Sequence, residues 1–335
     1  MKKKFLNGYK ALIITTSLIS LFIIDCKKAQ EPLKFPIGAF PDTVINLINI
    51  NSPFDDYNVS VDQLYGSLLL VFSSNRKSSG GQFDLEQGLV SFSFDQTNGN
   101  FSLYPEMTYD EFTYKLIDAA TTSRNDLGPY RTYSSYDGYE YFILSSENVV
   151  GDLDLIYFKN RPSRVNYLPE IYGPYKIKLL DTGYDDAYLS FDMNLDSAYF
   201  TSNIDGNFDI YVKQRPDNMD VAAWFDLEYS PSEKADSINS SSDDKCPMVY
   251  NKFMVFTSNR PGGYGGYDLY YSVFKNGKWN SPVNFGPGIN TSFDEYRPIV
   301  GYHSSFSNIF TIFSSNREGG KGGFDLYFSG VQTPK

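Results

Sequence analysis

One sequence pattern recurs five times along this chain, and it restricts the possible folds more than any other feature does. The consensus starts with Phe-Ser/Thr-Ser-Asn-Arg, passes through a Gly-rich segment and ends in aromatic-Asp-Leu-Tyr. Three good copies lie at 72–85, 256–272 and 313–329, and two degenerate copies lie at 142–155 and 200–211. Two short runs rich in β-branched and aromatic residues around a Gly-rich turn are typical of a hairpin. The chain is therefore one hairpin repeated, and such a repeat decides the architecture.

The spacing of the copies gives the size of the repeated unit. The initial phenylalanines of the copies are separated by 70, 58, 56 and 57 residues; they are Phe72, Phe142, Phe200, Phe256 and Phe313. A unit of about 57 residues with two strong strands and one or two weaker ones has the size of a four-stranded propeller blade. We therefore predict an all-β fold, a five-bladed β-propeller.

The two ends of the chain fit together into one blade. The last hairpin ends at Ser329, six residues before the C-terminus, so it leaves no room for an outer strand. The segment 42–56 parallels the segment 281–295, which follows the hairpin of the fourth unit. We predict that residues 43–48 form the outer strand of blade five and close the ring, which removes unpaired sheet edges.

These assignments divide the chain into segments. The propeller covers 43–335, with blades at about 55–127, 128–184, 185–242, 243–293 and 294–330. Acidic pairs open four of the five units, at 55/56, 185/186, 243/244 and 294/295. We expect the second unit to open near Gly128 without such a pair.

Composition supports a sheet-rich core and excludes one class of partner. The chain has 28 Tyr and 27 Phe among 335 residues, and aromatic residues favour strands. The formal net charge is −11, which makes nucleic acid an improbable partner.

The N-terminus has the features of an export signal. A basic start, Lys2-Lys3-Lys4, precedes an apolar run at 11–24 that is short for a membrane span. The sequence up to Cys26 resembles a bacterial lipoprotein box, although Asp25 stands where a small residue is usual. We expect a signal peptide at 1–25, lipidation of Cys26 and a tether at 26–42; an uncleaved signal anchor and ordinary secretion are the alternatives.

The two cysteines do not indicate a disulfide framework. If Cys26 carries lipid, Cys246 has no cysteine partner, and we expect it to be a small buried residue at the start of a strand.

Repeated charged residues lie at equal spacing on the hairpins. An arginine precedes an aspartate by eight residues in three copies: Arg76 and Asp84, Arg260 and Asp268, Arg317 and Asp325. We interpret each pair as a structural clamp within its own turn; anion binding by the three arginines is the alternative.

Several kinds of active site are excluded or unsupported by the sequence. His303 is the only histidine, which excludes multi-histidine zinc sites and histidine-based triads. The segment 205–209 resembles the start of a calcium loop but lacks the remaining ligands. We expect no metal, no cofactor and no catalytic residue.

The repeat resembles a known family. Ser-Asn-Arg-x-Gly-Gly-x-Gly-Gly-aromatic-Asp-Leu-Tyr, followed by Trp279-x-x-Pro-Val-Asn and Asn290-Thr-x-x-Asp-Glu295, is similar to the WD-like β-propeller repeats of bacterial envelope proteins, which include the TolB propeller. The resemblance implies an exported, non-enzymatic module that binds an envelope protein or a cell-wall component. It also implies an outer-membrane lipoprotein that faces the periplasm or the surface and meets the membrane only through its lipid.

A five-bladed glycosidase of the arabinanase type, or a carbohydrate-binding propeller, is the alternative. Such enzymes use carboxylates around the central funnel. The acidic pairs recur at the same position of each blade, so we expect them to cap turns rather than to act as acid and base.

Partner binding is expected where the units differ. The insertion at 98–114 is rich in aromatic residues, and a second unusual stretch runs from Trp224 to Asp244. The candidate binding residues are Tyr104, Tyr109, Phe112 and Trp224, because aromatic residues often dominate interfaces. Packing of an extended outer strand, followed by a solvated loop, is the alternative.

Overall fold

The computed structural model describes residues 33–64, 66–162 and 169–332 of the chain. The predicted signal peptide and the predicted lipidation site Cys26 lie outside the described residues. In this part of the chain no helix is long and apolar enough to cross a membrane.

The strands form five antiparallel sheets, which are the five blades of the predicted propeller. A short first strand is β1 (Ile45–Asn46). Blade one contains β2 (Asp56–Leu64), β3 (Ser67–Ser74), β4 (Asp84–Phe94) and β5 (Phe101–Met107), and is followed by helix α1 (Glu111–Ala120). Blade two contains β6 (Asp126–Ser134), β7 (Tyr139–Glu147), β8 (Leu153–Asn160) and β9 (Ile171–Lys176), and is followed by a 3₁₀ turn (Lys178–Leu180).

The remaining strands complete the ring. Blade three contains β10 (Asp186–Phe191), β11 (Ser197–Ser202), β12 (Asp209–Gln214) and β13 (Glu233–Lys234), with helix α2 (Val221–Phe225) before β13. Blade four contains β14 (Asp244–Tyr250), β15 (Phe253–Ser258), β16 (Asp268–Lys275), β17 (Lys278–Trp279) and β18 (Val283–Asn284). Blade five contains β19 (Glu295–Gly301), β20 (Ile309–Ser315) and β21 (Asp325–Val331).

The second strand of each blade is almost entirely buried. In β20 all seven residues of Ile-Phe-Thr-Ile-Phe-Ser-Ser are buried, and β11 and β15 show the same pattern. A strand that alternates polar and apolar residues buries only one of its faces. These second strands bury both faces, because they lie between the two neighbouring blades. Continuous burial on both faces explains why Phe-Ser/Thr-Ser recurs in four of the five copies.

The first strands of the blades surround the propeller axis. Each contacts the first strand of the next blade, in the closed order β2, β6, β10, β14, β19 and back to β2. Each also carries a β-bulge two residues after its start, at which the backbone has a positive φ of 49–59°. The five bulge residues are Asn58, Gly128, Tyr188, Cys246 and Arg297.

The prediction that an N-terminal strand completes blade five is confirmed. Strand β1 pairs antiparallel with β21, with Ile45 opposite Phe328. The Asn51 side chain extends the junction, since it accepts a hydrogen bond from Leu326 N at 2.8 Å and donates one to Leu326 O at 2.9 Å. Part of the predicted tether is packed rather than free. Phe40 is only 2% exposed and stacks on Phe306 with ring centroids 3.9 Å apart.

Two features depart from the prediction along the chain. Blade two opens at Asn125 and Asp126, two residues before Gly128; it lacks an acidic pair, as predicted, but does have one buried acid at its start. The insertion at 98–114 is only partly an extended strand, because helix α1 begins within it. Asp110 caps this helix by accepting a hydrogen bond from Thr113 N at 2.8 Å.

Candidate functional site

An acid begins the inner strand of every blade, and all five acids are buried within their own blade. Their side chains are at most 1% exposed; they are Asp56, Asp126, Asp186, Asp244 and Glu295. In blade one, Asp56 accepts a hydrogen bond from Ser74 Oγ at 2.7 Å. The equivalent serines of blades two and five donate to Asp126 and Glu295 at 2.8 and 2.9 Å. These carboxylates hold the first two strands of a blade together.

The three repeated arginines pair with these buried acids and not with the aspartates eight residues ahead of them. The ion pairs join Arg76 to Asp56, Arg260 to Asp244 at 2.5 Å and Arg317 to Glu295 at 3.0 Å. The predicted partners Asp84, Asp268 and Asp325 are therefore wrong. Each arginine turns back across its hairpin, as the Arg260 guanidinium does over the Phe256 ring, 5.2 Å from the centroid. Because each is used in its own blade, the three arginines do not form a shared anion site.

The aspartates after the turn have a different structural role. Asp268 accepts hydrogen bonds from Tyr264 N and from Asn284 Nδ2, both at 2.7 Å. Asp325 likewise accepts one from Asn46 Nδ2 at 3.0 Å. These carboxylates connect the Gly-rich turn to the outer strand of the same blade.

Blades two and three have no arginine at the equivalent position of the hairpin. Burial raises the pKa of Asp126 to about 6 and that of Asp186 to about 7. Hydrogen bonds from Thr122 and Thr182 oppose the shift only in part.

The acids at the preceding position join neighbouring blades. Asp55 Oδ1 accepts a hydrogen bond from Phe324 N of blade five at 2.8 Å. Asp294 Oδ1 likewise accepts a hydrogen bond from Tyr267 N of blade four, at 2.8 Å. The predicted acidic pairs are thus structural carboxylates, each with partners inside the ring.

Aromatic side chains fill the propeller axis at the end where the inner strands begin. Tyr57 stacks on Tyr296 with ring centroids 5.4 Å apart, and its hydroxyl lies 3.4 Å from that of Tyr188. Burial raises the pKa of Tyr57 and of Cys246 to about 12. Cys246 is buried, as its sequence context indicates. Among the described residues, this end therefore has no open funnel bordered by free carboxylates.

A cleft between blades three and four has a volume of 580 Å³. Its floor is aromatic. Trp279 Nε1 donates a hydrogen bond to Tyr199 OH at 3.3 Å, and the Phe274 ring lies edge-on to Trp279 with centroids 5.2 Å apart. The Asn276-Gly277 turn presents Trp279 from blade four, since both residues have the positive φ such a turn requires.

Polar and charged groups surround this floor. Three carboxylates line the cleft, from Asp192, Glu233 and Asp236. Asp192 Oδ1 accepts a hydrogen bond from Asp196 N at 2.8 Å, which fixes the orientation of its carboxylate. Lys234 also lines the cleft and is held by Asp209 at 2.6 Å. The cleft therefore combines an apolar floor with a rim of hydrogen-bonding groups.

The predicted binding residues lie elsewhere. Tyr104 is 58% exposed on β5 and Tyr109 is 67% exposed before α1. Phe112 is half-buried, with the Arg131 guanidinium 5.6 Å from its ring centroid. Trp224 is only 1% exposed. Its assignment to a binding surface is wrong, because α2 turns it inward to pack on Phe191 and Phe225.

The described residues contain no group of three or more His, Cys, Asp or Glu side chains that could hold a metal ion.

No protein-family model matches the chain, and no curated protein sequence matches it significantly. Solved structures do match. An exo-1,5-α-L-arabinanase from a bovine ruminal metagenomic library has a TM-score of 0.51 and 9% identity, over 85% of this chain and 96% of that one. An α-L-arabinofuranosidase from Podospora anserina has a TM-score of 0.50 and 10% identity, over 90% and 99%. A GH43_1 enzyme from Xanthomonas citri, complexed with xylotriose, has a TM-score of 0.50 and 8% identity, over 87% and 90%.

At this identity the likeness shows a shared five-bladed fold. It nevertheless corrects three predictions. The matched propellers are glycosidases, so the assignment to WD-like envelope repeats of the TolB type is not supported. The predictions of a non-enzymatic scaffold and of a chain that is not an enzyme are contradicted by the same finding.

Proposed function

We propose that this protein is a carbohydrate-active propeller of the glycosidase type, which takes a glycan into the cleft between blades three and four. The observation that carries the proposal is the aromatic floor of Trp279, Tyr199 and Phe274 beneath a rim of carboxylates. The glycosidases that share the five-bladed fold support the substrate class.

The chemistry of a sugar fits such a cleft. One face of a sugar ring carries C–H groups, which pack on aromatic rings, while the hydroxyl groups at its edge need hydrogen-bond partners. The rim supplies acceptors at Asp192, Glu233 and Asp236 and a donor at Lys234. A cavity of 580 Å³ also lies within the range of small-molecule sites.

Hydrolysis requires two carboxyl groups facing the scissile bond, one as the acid and one as the base or nucleophile. We assign the base or nucleophile to Asp192, because the hydrogen bond from Asp196 N fixes the orientation of its carboxylate. Glu233, exposed on β13 at the rim of the same cleft, is then the acid.

The test is a screen of arabinan, xylan and their oligosaccharides, with release of reducing ends and calorimetric binding both measured. Asp192→Asn and Glu233→Gln should each lower turnover at least 100-fold and leave binding within a few-fold, since acid and base contribute about 10²–10⁴-fold each. Tyr109→Ala, which removes an exposed aromatic outside the cleft, is the matched control and should change neither. Turnover that persists in both carboxylate variants, or a panel that yields neither binding nor release, contradicts the proposal.

We further propose that the protein is exported and anchored to the bacterial cell envelope through lipid on Cys26. The basic start and the apolar run at 11–24 support this location. Palmitate should label the wild type and not Cys26→Ala; equal labelling of the two contradicts the anchor.

A further inference from the structure

The residue type at the bulge on the propeller axis differs from blade to blade, whereas the bulge itself and its positive φ recur in every inner strand. Four of the bulge residues donate their backbone N–H group to a hydroxyl of the preceding blade, as Tyr188 N does to Ser145 Oγ at 3.0 Å and Arg297 N to Thr257 Oγ1 at 3.1 Å. The side chains at the five positions are an amide, a hydrogen, a phenol, a thiol and a guanidinium. Repeated groups build the ring, whereas variable groups on a rigid scaffold commonly carry function.

Arg297 is a buried cation that lacks a counter-ion among the described residues. Its side chain is 2% exposed, and the described carboxylates form no ion pair with it. Nη2 donates to Pro129 O at 3.2 Å and to Gly128 O at 3.4 Å. Nε and Nη1 have no hydrogen-bond partner in the described structure. A buried charge is costly unless it is paired and hydrogen-bonded, so this guanidinium favours an anion beside it.

Arg297 lines a cavity that can hold such an anion. The cavity has a volume of 170 Å³, roughly the share of five or six liquid waters. On the opposite side the Tyr188 ring closes over the guanidinium, 5.3 Å from its centroid. The Arg297 guanidinium therefore lies between the Tyr188 ring and the cavity.

The other residues that line the cavity determine which kind of ligand fits it. Much of it is apolar, from Val61, Met248, Ile299 and Phe310. The other arginine on the wall, Arg131, is already paired with Glu140 at 2.5 Å and Asp62 at 3.1 Å. One cationic end and apolar walls suit a molecule with one anionic group and an apolar body. A fully polar anion such as phosphate suits these walls less well.

We propose that this axial cavity binds a small apolar carboxylate, whose carboxylate group accepts hydrogen bonds from Arg297. The guanidinium is planar and well suited to a carboxylate, and the pair is stronger in a dry site than in water. The site is separate from the cleft of the proposed function and does not depend on it.

The experiment uses benzoate and its neutral isostere benzamide as probes of the full chain. Benzoate should raise the melting temperature in proportion to its occupancy, as any ligand of the native state does, whereas benzamide at the same concentration should not. Arg297→Gln should weaken benzoate binding at least tenfold in titration calorimetry. Arg161→Gln, which removes an exposed arginine, is the matched control and should bind as the wild type does.

A second variant keeps the test informative if Arg297→Gln does not fold. Met248→Trp fills the apolar wall and leaves Arg297 in place, so it should abolish benzoate binding. Equal binding of benzoate and benzamide, full binding by either cavity variant, or no benzoate binding by the wild type overturns the proposal. Inorganic phosphate that binds Arg297 more tightly than benzoate does overturns the assignment to an apolar carboxylate.

Discussion

At the scale of single residues, the fold depends on a buried acid at the start of each inner strand. Blades one, four and five neutralise it with an arginine, and blades two and three surround it with hydroxyl and N–H donors. In blades two and three, burial raises the pKa of Asp126 and Asp186 and so favours their protonated forms.

The acid of blade three should make the stability of the protein fall as the pH rises from about 4 to about 7. Burial raises the pKa of Asp186 in the folded state from 3.8 to about 7, so the folded state binds the proton more tightly than the unfolded state does. The stabilising contribution is complete below the unfolded pKa and is lost as the pH rises through the folded one. The loss is on the order of 3 kcal/mol.

Asp186→Asn removes this titration. Relative to the wild type, its free energy of unfolding should therefore increase from pH 4 to pH 7 in urea denaturation. Glu318→Gln, an exposed acid in a turn, should show a constant difference. A constant difference for Asp186→Asn as well would refute the pKa shift as the cause.

Residue identities alone predicted this network only in part. The recurrence of Ser, Asn, Arg and Asp in each hairpin indicated structural rather than catalytic groups. It did not reveal that Arg76 reaches back to Asp56, because equal spacing along a hairpin does not define which way a long side chain turns.

At the scale of elements, the segment before β1 is part of the core. Phe40 contacts several aromatic rings, among them Phe306 by stacking and Phe92 and Phe310 edge-on. Phe40 N donates to Asn308 Oδ1 at 2.8 Å and Asn308 returns a hydrogen bond to Phe40 O at 2.9 Å. The segment is thereby fixed to blade five at both its side chain and its backbone.

Phe40→Ala should lower the free energy of unfolding by about 3–5 kcal/mol, the usual cost of emptying a buried phenylalanine site. The neighbouring Ile37 is 60% exposed, so Ile37→Ala should change stability by less than about 0.5 kcal/mol. Chemical denaturation of the two variants beside the wild type measures both values. Similar small losses for both would mean that this segment does not pack as described.

The hairpins could be predicted from the sequence because one pattern occurs five times, three of them with a Gly-rich turn. The two helices could not, because each occurs once and no repeat supports it. In α2, Trp224 and Phe225 end a short apolar run that precedes a polar stretch at 230–244, which gave the impression of an exposed aromatic. Their burial depends on Phe191 of the same blade, which lies more than 30 residues earlier in the chain.

At the scale of the whole molecule, closure could be predicted but the cavities could not. The end of the repeat at Ser329 and the copy of an outer strand near residue 45 indicated one shared blade, as β1 and β21 confirm. The cleft combines Tyr199 of blade three with Trp279 of blade four, and the axial cavity combines Arg131 with Arg297. Both cavities lie between blades, so the sequence pattern of a single blade does not predict them.

Closure also predicts how the ring responds to shortening from its N-terminal side. Deleting residues 27–49 removes Phe40 and β1, which leaves β21 as an unpaired edge next to blade one. Deleting residues 27–38 keeps both. Among the described residues 33–38 it removes mainly exposed ones, together with the backbone hydrogen bonds of Phe35 N with Gln96 O and of Gly38 with Ser305 and Ser307. We expect the longer deletion to lower the melting temperature by at least 10 °C and to promote aggregation, because several kcal/mol of burial are lost. The shorter one should lower it by only a few degrees. Calorimetry and light scattering on both variants measure the difference, and equal melting temperatures would show that β1 does not close the ring.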